Sequence, residues 1–148
     1  MISEATGAVT GTIDVGSSPD AVTADPRTGT VYVANFSSSN VSVISEATGA
    51  VTGTIDVGSA PDAVAADPVT GTVYVTNGQS GTVSVISKAT GTVIATVDLG
   101  GGLYGGPFGI AVDPSTGTAF VANEDSGTVS VITPESGTID QLPAPGSR

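Results

Sequence analysis

Short apolar runs separated by turn-forming residues recur along this chain. The runs are rich in Val, Ile, Ala and Tyr, as in TVYVAN at residues 30–35 and NVSVIS at residues 40–45. Between them lie segments such as DPRTGT at residues 25–30, where Asp bonds its own backbone, Pro presets φ and Gly accepts a positive φ. The pattern predicts short β-strands joined by tight turns, with no catalytic role for the turn aspartates.

Four such runs form a unit that the chain repeats. Residues 44–59 read ISEATGAVTGTIDVGS, and residues 2–17 read the same, letter for letter. Related versions begin at Ile86 and Ile132, so the first three starts are 42 residues apart. A fixed period of this length indicates a repeat architecture. Four strands and four turns leave no room for a helix in the period.

Single residues keep their places in every unit, with one interruption. Each unit has an Asp-Pro pair, then an aromatic residue, then an Asn at the end of the second strand; these are Asp25, Asp67 and Asp113, Tyr32, Tyr74 and Phe120, and Asn35, Asn77 and Asn123. The register is broken only by four additional residues within the glycine-rich stretch at residues 100–109. A four-stranded unit of this length matches a β-propeller blade.

The motif TVYVTN at residues 72–77 carries the signature of the YVTN β-propeller repeat family. The spaced pattern around it recurs three times, so nearly the whole chain resembles that family. The resemblance implies a β-propeller fold and a place in a secreted or cell-surface protein. It says little about function, because the repeat is a building block used in many roles.

We therefore predict one all-β domain of β-propeller blades, each with four antiparallel strands. The chain is expected to hold about three blades plus an N-terminal orphan outer strand. The boundaries are a partial blade at residues 1–17 and blades at residues 18–58, 59–100 and 101–148. The last blade contains the glycine-rich insertion and a weak final strand, because Pro143 and Pro145 cannot donate to a ladder.

Three blades are fewer than the roughly four to eight of known propellers. The chain is therefore expected to be a fragment of a larger propeller, to close by self-association of two copies, or to persist as an open arc with exposed edges. Within the chain, residues 10–15 are expected to complete the blade that begins near Phe108.

The composition of the chain limits the classes of partner and of chemistry that are expected for it. The net charge of −11 disfavours binding to nucleic acid and to anionic membrane surfaces. There is no Cys and no His, which excludes disulfides and removes the commonest general base and metal ligand. No apolar run approaches the roughly 18 residues of a membrane span, so no membrane insertion is expected. The N-terminus of this chain has no signal-peptide pattern, although the family resemblance implies an extracellular or cell-envelope parent protein.

Candidate ligand-binding residues lie on one predicted face. In a propeller, the loops that enter each first strand share a face with the loops between second and third strands, and this face usually carries the ligand site. Here these loops vary among the copies while the frame stays constant. The candidates are Asp20, Asn35, Asp62, Asn77, Tyr104, Phe108, Asn123, Glu124 and Asp125. For the three asparagines, the structural alternative is capping of strand ends or entry into turns, where Asn tolerates a positive φ.

Two functions remain open from the sequence. The first is a non-enzymatic scaffold that binds a protein or glycan, without catalytic residues or a cofactor. The alternative is a fragment of a propeller hydrolase or lactonase, which resembles the gluconolactonase-like group at the level of fold. Enzymes of that group place carboxylates and Asn around a divalent ion at the channel mouth. Oxygen ligands of this kind suit Ca²⁺ or Mg²⁺, so Ca²⁺ is the candidate ion.

Overall fold

Twelve strands and no helix make up the part of the chain that the structure, a computed structural model, describes: residues 7–99, 107–124, 126–133 and 139–142. The strands form three four-stranded antiparallel sheets, and each strand pairs with its neighbours in sequence. This confirms the predicted all-β fold of propeller blades. None of the described residues forms a helix of the length and apolar character that a membrane span requires.

Each sheet is one blade, numbered in chain order. Blade 1 consists of β1 (Pro19–Asp25), β2 (Thr30–Asn35), β3 (Asn40–Ser45) and β4 (Ala50–Asp56). Blade 2 consists of β5 (Pro61–Asp67), β6 (Thr72–Asn77), β7 (Thr82–Ser87) and β8 (Thr92–Asp98). Blade 3 consists of β9 (Pro107–Asp113), β10 (Thr118–Asn123), β11 (Thr128–Ile132) and β12 (Ile139–Leu142).

The turns between first and second strands form as their residues predict. The carboxylate of Asp25 accepts the backbone N–H of Arg27 at 3.0 Å, and that of Asp67 accepts the N–H of Val69 at 2.9 Å. Each turn closes at a glycine with positive φ, such as Gly29 at 66°. The repeated aspartates therefore fold the backbone, which is the role the sequence gives them.

Two hydrophobic clusters lie between the blades. In the first, Tyr32 and Val41 of blade 1 pack against Val64 and Val73 of blade 2. In the second, Tyr74 of blade 2 packs against residues of blade 3; these include Ala119, Val121 and Ile132. Burial of such β-branched and aromatic side chains between facing sheets is the main stabilising term of this fold.

Lys88 also joins blades 1 and 2, from the turn after β7. Its ammonium group donates to the Asp25 carboxylate at the end of β1 and to the Asp67 carbonyl oxygen, the latter at 2.9 Å. Burial acts to raise the pKa of Asp25. Hydrogen bonds from Lys88, from the Arg27 N–H and from the Thr28 hydroxyl outweigh that effect and hold this pKa below its ordinary value. The carboxylate therefore stays ionised although it is buried.

Blade 3 is completed by its own last strand, not by the N-terminal segment. β12 pairs with β11 from Val129↔Leu142 to Ile132↔Ile139. Residues 10–15 form no strand. The prediction that they complete this blade is therefore wrong for the single chain. β12 has four residues, and the weakness expected of this last strand stays a prediction.

Candidate functional site

The two sets of loops that were predicted to share a face do meet. In blade 2, the backbone N–H of Ser59 donates to the Ser80 hydroxyl at 2.7 Å, and that of Gly78 donates to the Ala60 carbonyl at 2.9 Å. Blade 1 repeats the first bond between Ser17 and Ser38 at 2.7 Å. We call this surface the loop face.

The three asparagines of the predicted site are turned into the blades. They end the second strands, and each side-chain amide donates to a serine hydroxyl on the neighbouring third strand; the pairs are Asn35–Ser42 at 2.9 Å, Asn77–Ser84 at 3.0 Å and Asn123–Ser130 at 2.8 Å. All three side chains are buried. The amides therefore join two strands inside each blade, and a role of these asparagines in ligand binding stays a prediction.

The asparagines enter the turns between second and third strands, as the structural alternative expected. Their carbonyl oxygens accept the N–H groups that close these turns, from Ser39 at 3.0 Å, Gly81 at 2.9 Å and Gly127 at 3.2 Å. The positive φ angles in these turns belong to those closing residues and not to the asparagines. At the strand end, the asparagine side chain packs tightly against the loop that leads into the first strand. A Cβ added to Gly58 would lie 2.8 Å from Cγ of Asn77, so only glycine fits there.

Asp62 is a carboxylate of the loop face that is held by a neighbouring side chain. It is the second residue of β5, and its Oδ1 accepts the Thr76 hydroxyl of β6 at 2.6 Å. The Thr76 oxygen also lies 3.2 Å from the carbonyl oxygen of Phe108 in blade 3. Asp62 is thus held by a side chain that lies near blade 3 and that the other blades lack. Blades 1 and 3 have Ala34 and Ala122 at the position of Thr76.

A glycine makes room for this carboxylate. A Cβ on Gly78 would lie 2.5 Å from Oδ2 of Asp62, closer than real contacts allow. The equivalent residues in blades 1 and 3 are Phe36 and Glu124, both exposed. Blade 2 therefore departs from the repeat twice, at Thr76 and Gly78, although the position of Gly78 differs in all three blades, and both residues lie beside Asp62.

Burial raises the pKa of Asp62 to about 6. The Thr76 hydrogen bond opposes this rise, and the nearby negative charge of Asp20 adds to it. Burial also raises the pKa of Asp20, the equivalent residue of blade 1. The two carboxylates concentrate negative charge in one part of the loop face, where hydroxyl and ammonium groups are the complementary donors.

The Asp62→Asn variant is expected to be more stable than the wild type at pH 7.5, because it removes a charge that burial makes unfavourable in the native state. The gain should be about 1 kcal/mol, since the carboxyl is half-exposed and solvent screens part of this penalty. The native pKa of about 6 exceeds the ordinary value of 3.8, so the native state binds more protons between these values. Wild-type stability therefore falls as pH rises through that window, and the difference between the two proteins vanishes near pH 4. Urea unfolding at several pH values measures this. Asp56→Asn, which removes an exposed charge, is the control; an equal gain there would contradict the assignment.

The remaining candidates are two exposed residues and two that are not described. Phe108 and Glu124 are exposed, and the Phe108 carbonyl oxygen lies near Thr76. Tyr104 and Asp125 fall outside the described ranges. Sequence reasoning missed Thr76 and Gly78, although each is a departure from its repeat equivalents and was therefore visible in the alignment of the copies.

A divalent ion would need more ligands than Asp62 and Asp20 supply. Within the described ranges, no group of three or more His, Cys, Asp or Glu side chains is placed to hold a metal. Thermal unfolding with millimolar Ca²⁺ and with a chelator tests the alternative directly. We expect Tm to be the same in both, because a native-state ligand must raise it. A rise with Ca²⁺ alone would favour the metal-dependent hydrolase.

The comparisons with known proteins concern the fold. No protein-family model matches the sequence, and no curated protein matches it either. Among solved structures, hydrazine synthase of Kuenenia stuttgartiensis is similar, with 27% identity and a TM-score of 0.77 over 91% of this chain and 38% of its own.

Two further structures are similar at lower identity. A catalytically inactive virginiamycin B lyase of Staphylococcus aureus, solved with quinupristin, has 20% identity and a TM-score of 0.72 over 87% of this chain and 42% of its own. A protein of unknown function from Desulfotomaculum acetoxidans has 19% identity and a TM-score of 0.76 over 95% of this chain and 46% of its own. This chain thus spans less than half the length of these proteins. These likenesses, together with the three sheets, show that the chain is composed of β-propeller blades.

Proposed function

We propose that this chain is a non-enzymatic β-propeller scaffold that binds a protein or glycan on its loop face. We further propose that its repeats are of the YVTN type and that its parent protein is secreted or displayed at the cell surface. The location rests on the resemblance of the repeats to that family.

One observation carries the binding proposal. Thr76 holds the half-buried Asp62 carboxylate by a hydrogen bond and Gly78 leaves room for it, while burial raises its pKa to about 6. Half-burial of a charged carboxyl destabilises the native state, and a blade with a purely structural role has no need of such a group. A perturbed acid among the loops of a rigid scaffold is a candidate for a ligand contact.

The surroundings of Asp62 favour a ligand rich in hydroxyl or ammonium groups. Exposed Phe108 belongs to the following blade, where its carbonyl oxygen lies near Thr76, and aromatic rings of this kind pack against the C–H faces of sugars. The net charge of −11 disfavours anionic ligands. A neutral or amino-sugar glycan, or a basic protein segment, fits this chemistry best.

An array of neutral and amino-sugar glycans, probed with the whole chain, tests the glycan form. We expect Asp62→Ala to weaken binding about tenfold or more, because hydrogen bonds to a charged group are worth about 1.5–3 kcal/mol. Asp56→Ala removes the same charge from an exposed outer strand and should leave binding unchanged. Binding should also weaken below pH 6, as Asp62 takes up a proton. Glycan binding that Asp62→Ala leaves unchanged, or an array on which no glycan binds the chain, would contradict glycan recognition at this site.

A further inference from the structure

A cavity lies between the outer part of blade 2 and blade 3, away from the Asp62 group. Its volume of about 450 Å³ falls within the roughly 300–1,000 Å³ that is usual for small-molecule sites, and it is partly open to solvent. Tyr74, Val85 and Val97 of blade 2 and Ile132 of blade 3 make much of its wall apolar. Thr72 adds a hydroxyl group to this wall.

Two exchanges in the outer strand of blade 2 extend the apolar wall. Ile94 and Ala95 line the cavity, and the equivalent residues of blade 1 are Thr52 and Gly53. Ile94 is 58% exposed, so the exchange of a hydroxyl for an aliphatic side chain adds little to the buried core. It does add apolar surface where a ligand in the cavity would make contact.

The side chain of Asp67 belongs to the same face of blade 2 as this wall. Asp67 and Thr72 are paired directly across β5 and β6, and directly paired residues point to the same side of a sheet. Tyr74 lies two residues after Thr72 on β6, so it shares that side, where it packs against blade 3. The equivalent pair in blade 1 shows the same proximity: burial raises the pKa of Tyr32, and the charge of Asp25 raises it further.

One carboxylate oxygen of Asp67 lacks a hydrogen-bond donor. Oδ1 accepts the backbone N–H of Val69 at 2.9 Å, whereas Oδ2 is buried and accepts no hydrogen bond from any described residue. The whole residue is 0% exposed, so bulk water does not solvate this oxygen. Because a buried carboxylate oxygen without a donor destabilises the native state, a cationic donor that reached it would be bound favourably.

The equivalent oxygen at the junction of blades 1 and 2 has such a donor. Oδ2 of Asp25 accepts the ammonium group of Lys88, which reaches it from blade 2. At the junction of blades 2 and 3, the acceptor is Asp67, but the repeat position of Lys88 holds Pro134, whose side chain has no donor. The second junction therefore has the buried acceptor without the lysine that serves it at the first.

We propose that the cavity between blades 2 and 3 binds a small primary amine with an aliphatic or aromatic body. The ammonium group donates to Oδ2 of Asp67, as Lys88 donates to Asp25, and the apolar body packs against Ile94 and Val97. Because Asp67 is fully buried, the ammonium group reaches it through a side-chain movement at that end of the cavity. The net charge of −11 attracts such a cation to the chain and disfavours an anion of the same shape.

Titration of the isotope-labelled chain with n-hexylamine, 1-hexanol and hexanoate, followed by NMR at pH 7, tests the proposal. These probes share an apolar body and differ in the head group. We expect n-hexylamine to bind about tenfold or more tightly than 1-hexanol, because hydrogen bonds to charged groups are the stronger ones. Hexanoate should bind most weakly. No binding of n-hexylamine at millimolar concentration, or binding no tighter than that of 1-hexanol, would overturn the proposal.

Exchange of single carboxylates locates the ammonium group. Asp67→Asn removes the charge and keeps an acceptor oxygen for the Val69 N–H, and it should lower the affinity for n-hexylamine to that for 1-hexanol. Asp98 also lines the cavity, and Asp98→Asn should leave the preference for the amine unchanged. A preference for the amine that survives Asp67→Asn, or that is lost in Asp98→Asn, would overturn the assignment to Asp67.

A cavity-filling variant separates binding in the cavity from attraction to the acidic surface. Ala95→Trp should abolish the binding of both n-hexylamine and 1-hexanol, and it should fold because Ala95 is exposed. Thr52→Trp places the same side chain at an exposed site on the outer strand of blade 1 and should bind both probes as the wild type does. Undiminished binding of n-hexylamine to Ala95→Trp would overturn the proposal, also where Asp67→Asn is too unstable to titrate.

Discussion

Replacing Lys88 with Met is expected to lower the free energy of unfolding by about 3–5 kcal/mol at pH 7, because it removes one partner of a buried ion pair. Asp25 is 1% exposed and Lys88 is 8% exposed, so water cannot take over the role of the lost ammonium group. The carboxylate would be left charged between two blades. A loss of this size is a large part of the roughly 5–15 kcal/mol that stabilises an ordinary domain. Urea unfolding of the two proteins, followed by circular dichroism, measures the difference.

Two further variants make the cause of this loss visible. Asp25→Asn combined with Lys88→Met should recover most of the stability, since no buried charge remains unpaired. Arg27→Met removes a cation of the same sign that is exposed and donates to a backbone oxygen, the Pro68 carbonyl, at 3.2 Å. It should cost less than about 1 kcal/mol. An equal loss in the Arg27 and Lys88 variants would show that net charge, and not the ion pair, is responsible.

The pH dependence of the Lys88 effect follows from the carboxylate. The pKa of Asp25 in the native protein lies below the ordinary value of 3.8. The ion pair therefore contributes fully above the unfolded pKa, and its contribution is lost as pH falls through the native pKa. The difference between the wild type and Lys88→Met should shrink below about pH 4.

The strands were predictable because their signals are local. The predicted strands at residues 30–35 and 40–45 coincide with β2 and β3. Repetition added to this, because a turn or strand seen three times in the same register is a stronger signal than one seen once. The blade as a unit was therefore readable from composition and spacing.

Contacts between blades were not predictable in the same way. The exchange of Glu46 for Lys88 is visible in the aligned copies, but its partner Asp25 lies 63 residues away and is reached only through blade packing. Thr76 is likewise visible as a polar exchange, yet its contact with Asp62 depends on the register between β5 and β6. The sequence placed the asparagines correctly at strand ends. It did not show whether their amides face solvent or a neighbouring strand, because that depends on packing between segments that are distant in the sequence.

Tyr74→Ala is expected to lower the free energy of unfolding by about 3–5 kcal/mol, the usual cost of deleting a buried aromatic side chain. Tyr32→Ala should cost a similar amount, since that ring is also buried between blades. Phe120 holds the same repeat position in blade 3, but nothing in the described residues covers its outer side. Its replacement by Ala should cost only about 1 kcal/mol in the single chain. Urea unfolding of the three variants at low micromolar concentration measures this order.

The same three variants separate the packing within one chain from packing between copies. If two chains close a ring, the cost of Phe120→Ala rises with protein concentration, because the native dimer gains stability by mass action and this variant weakens its interface. The costs of Tyr32→Ala and Tyr74→Ala should not depend on concentration in this way, since their partners are in the same chain. A cost for Phe120→Ala as large as that for Tyr74→Ala at every concentration would mean that blade 3 is already covered in the single chain.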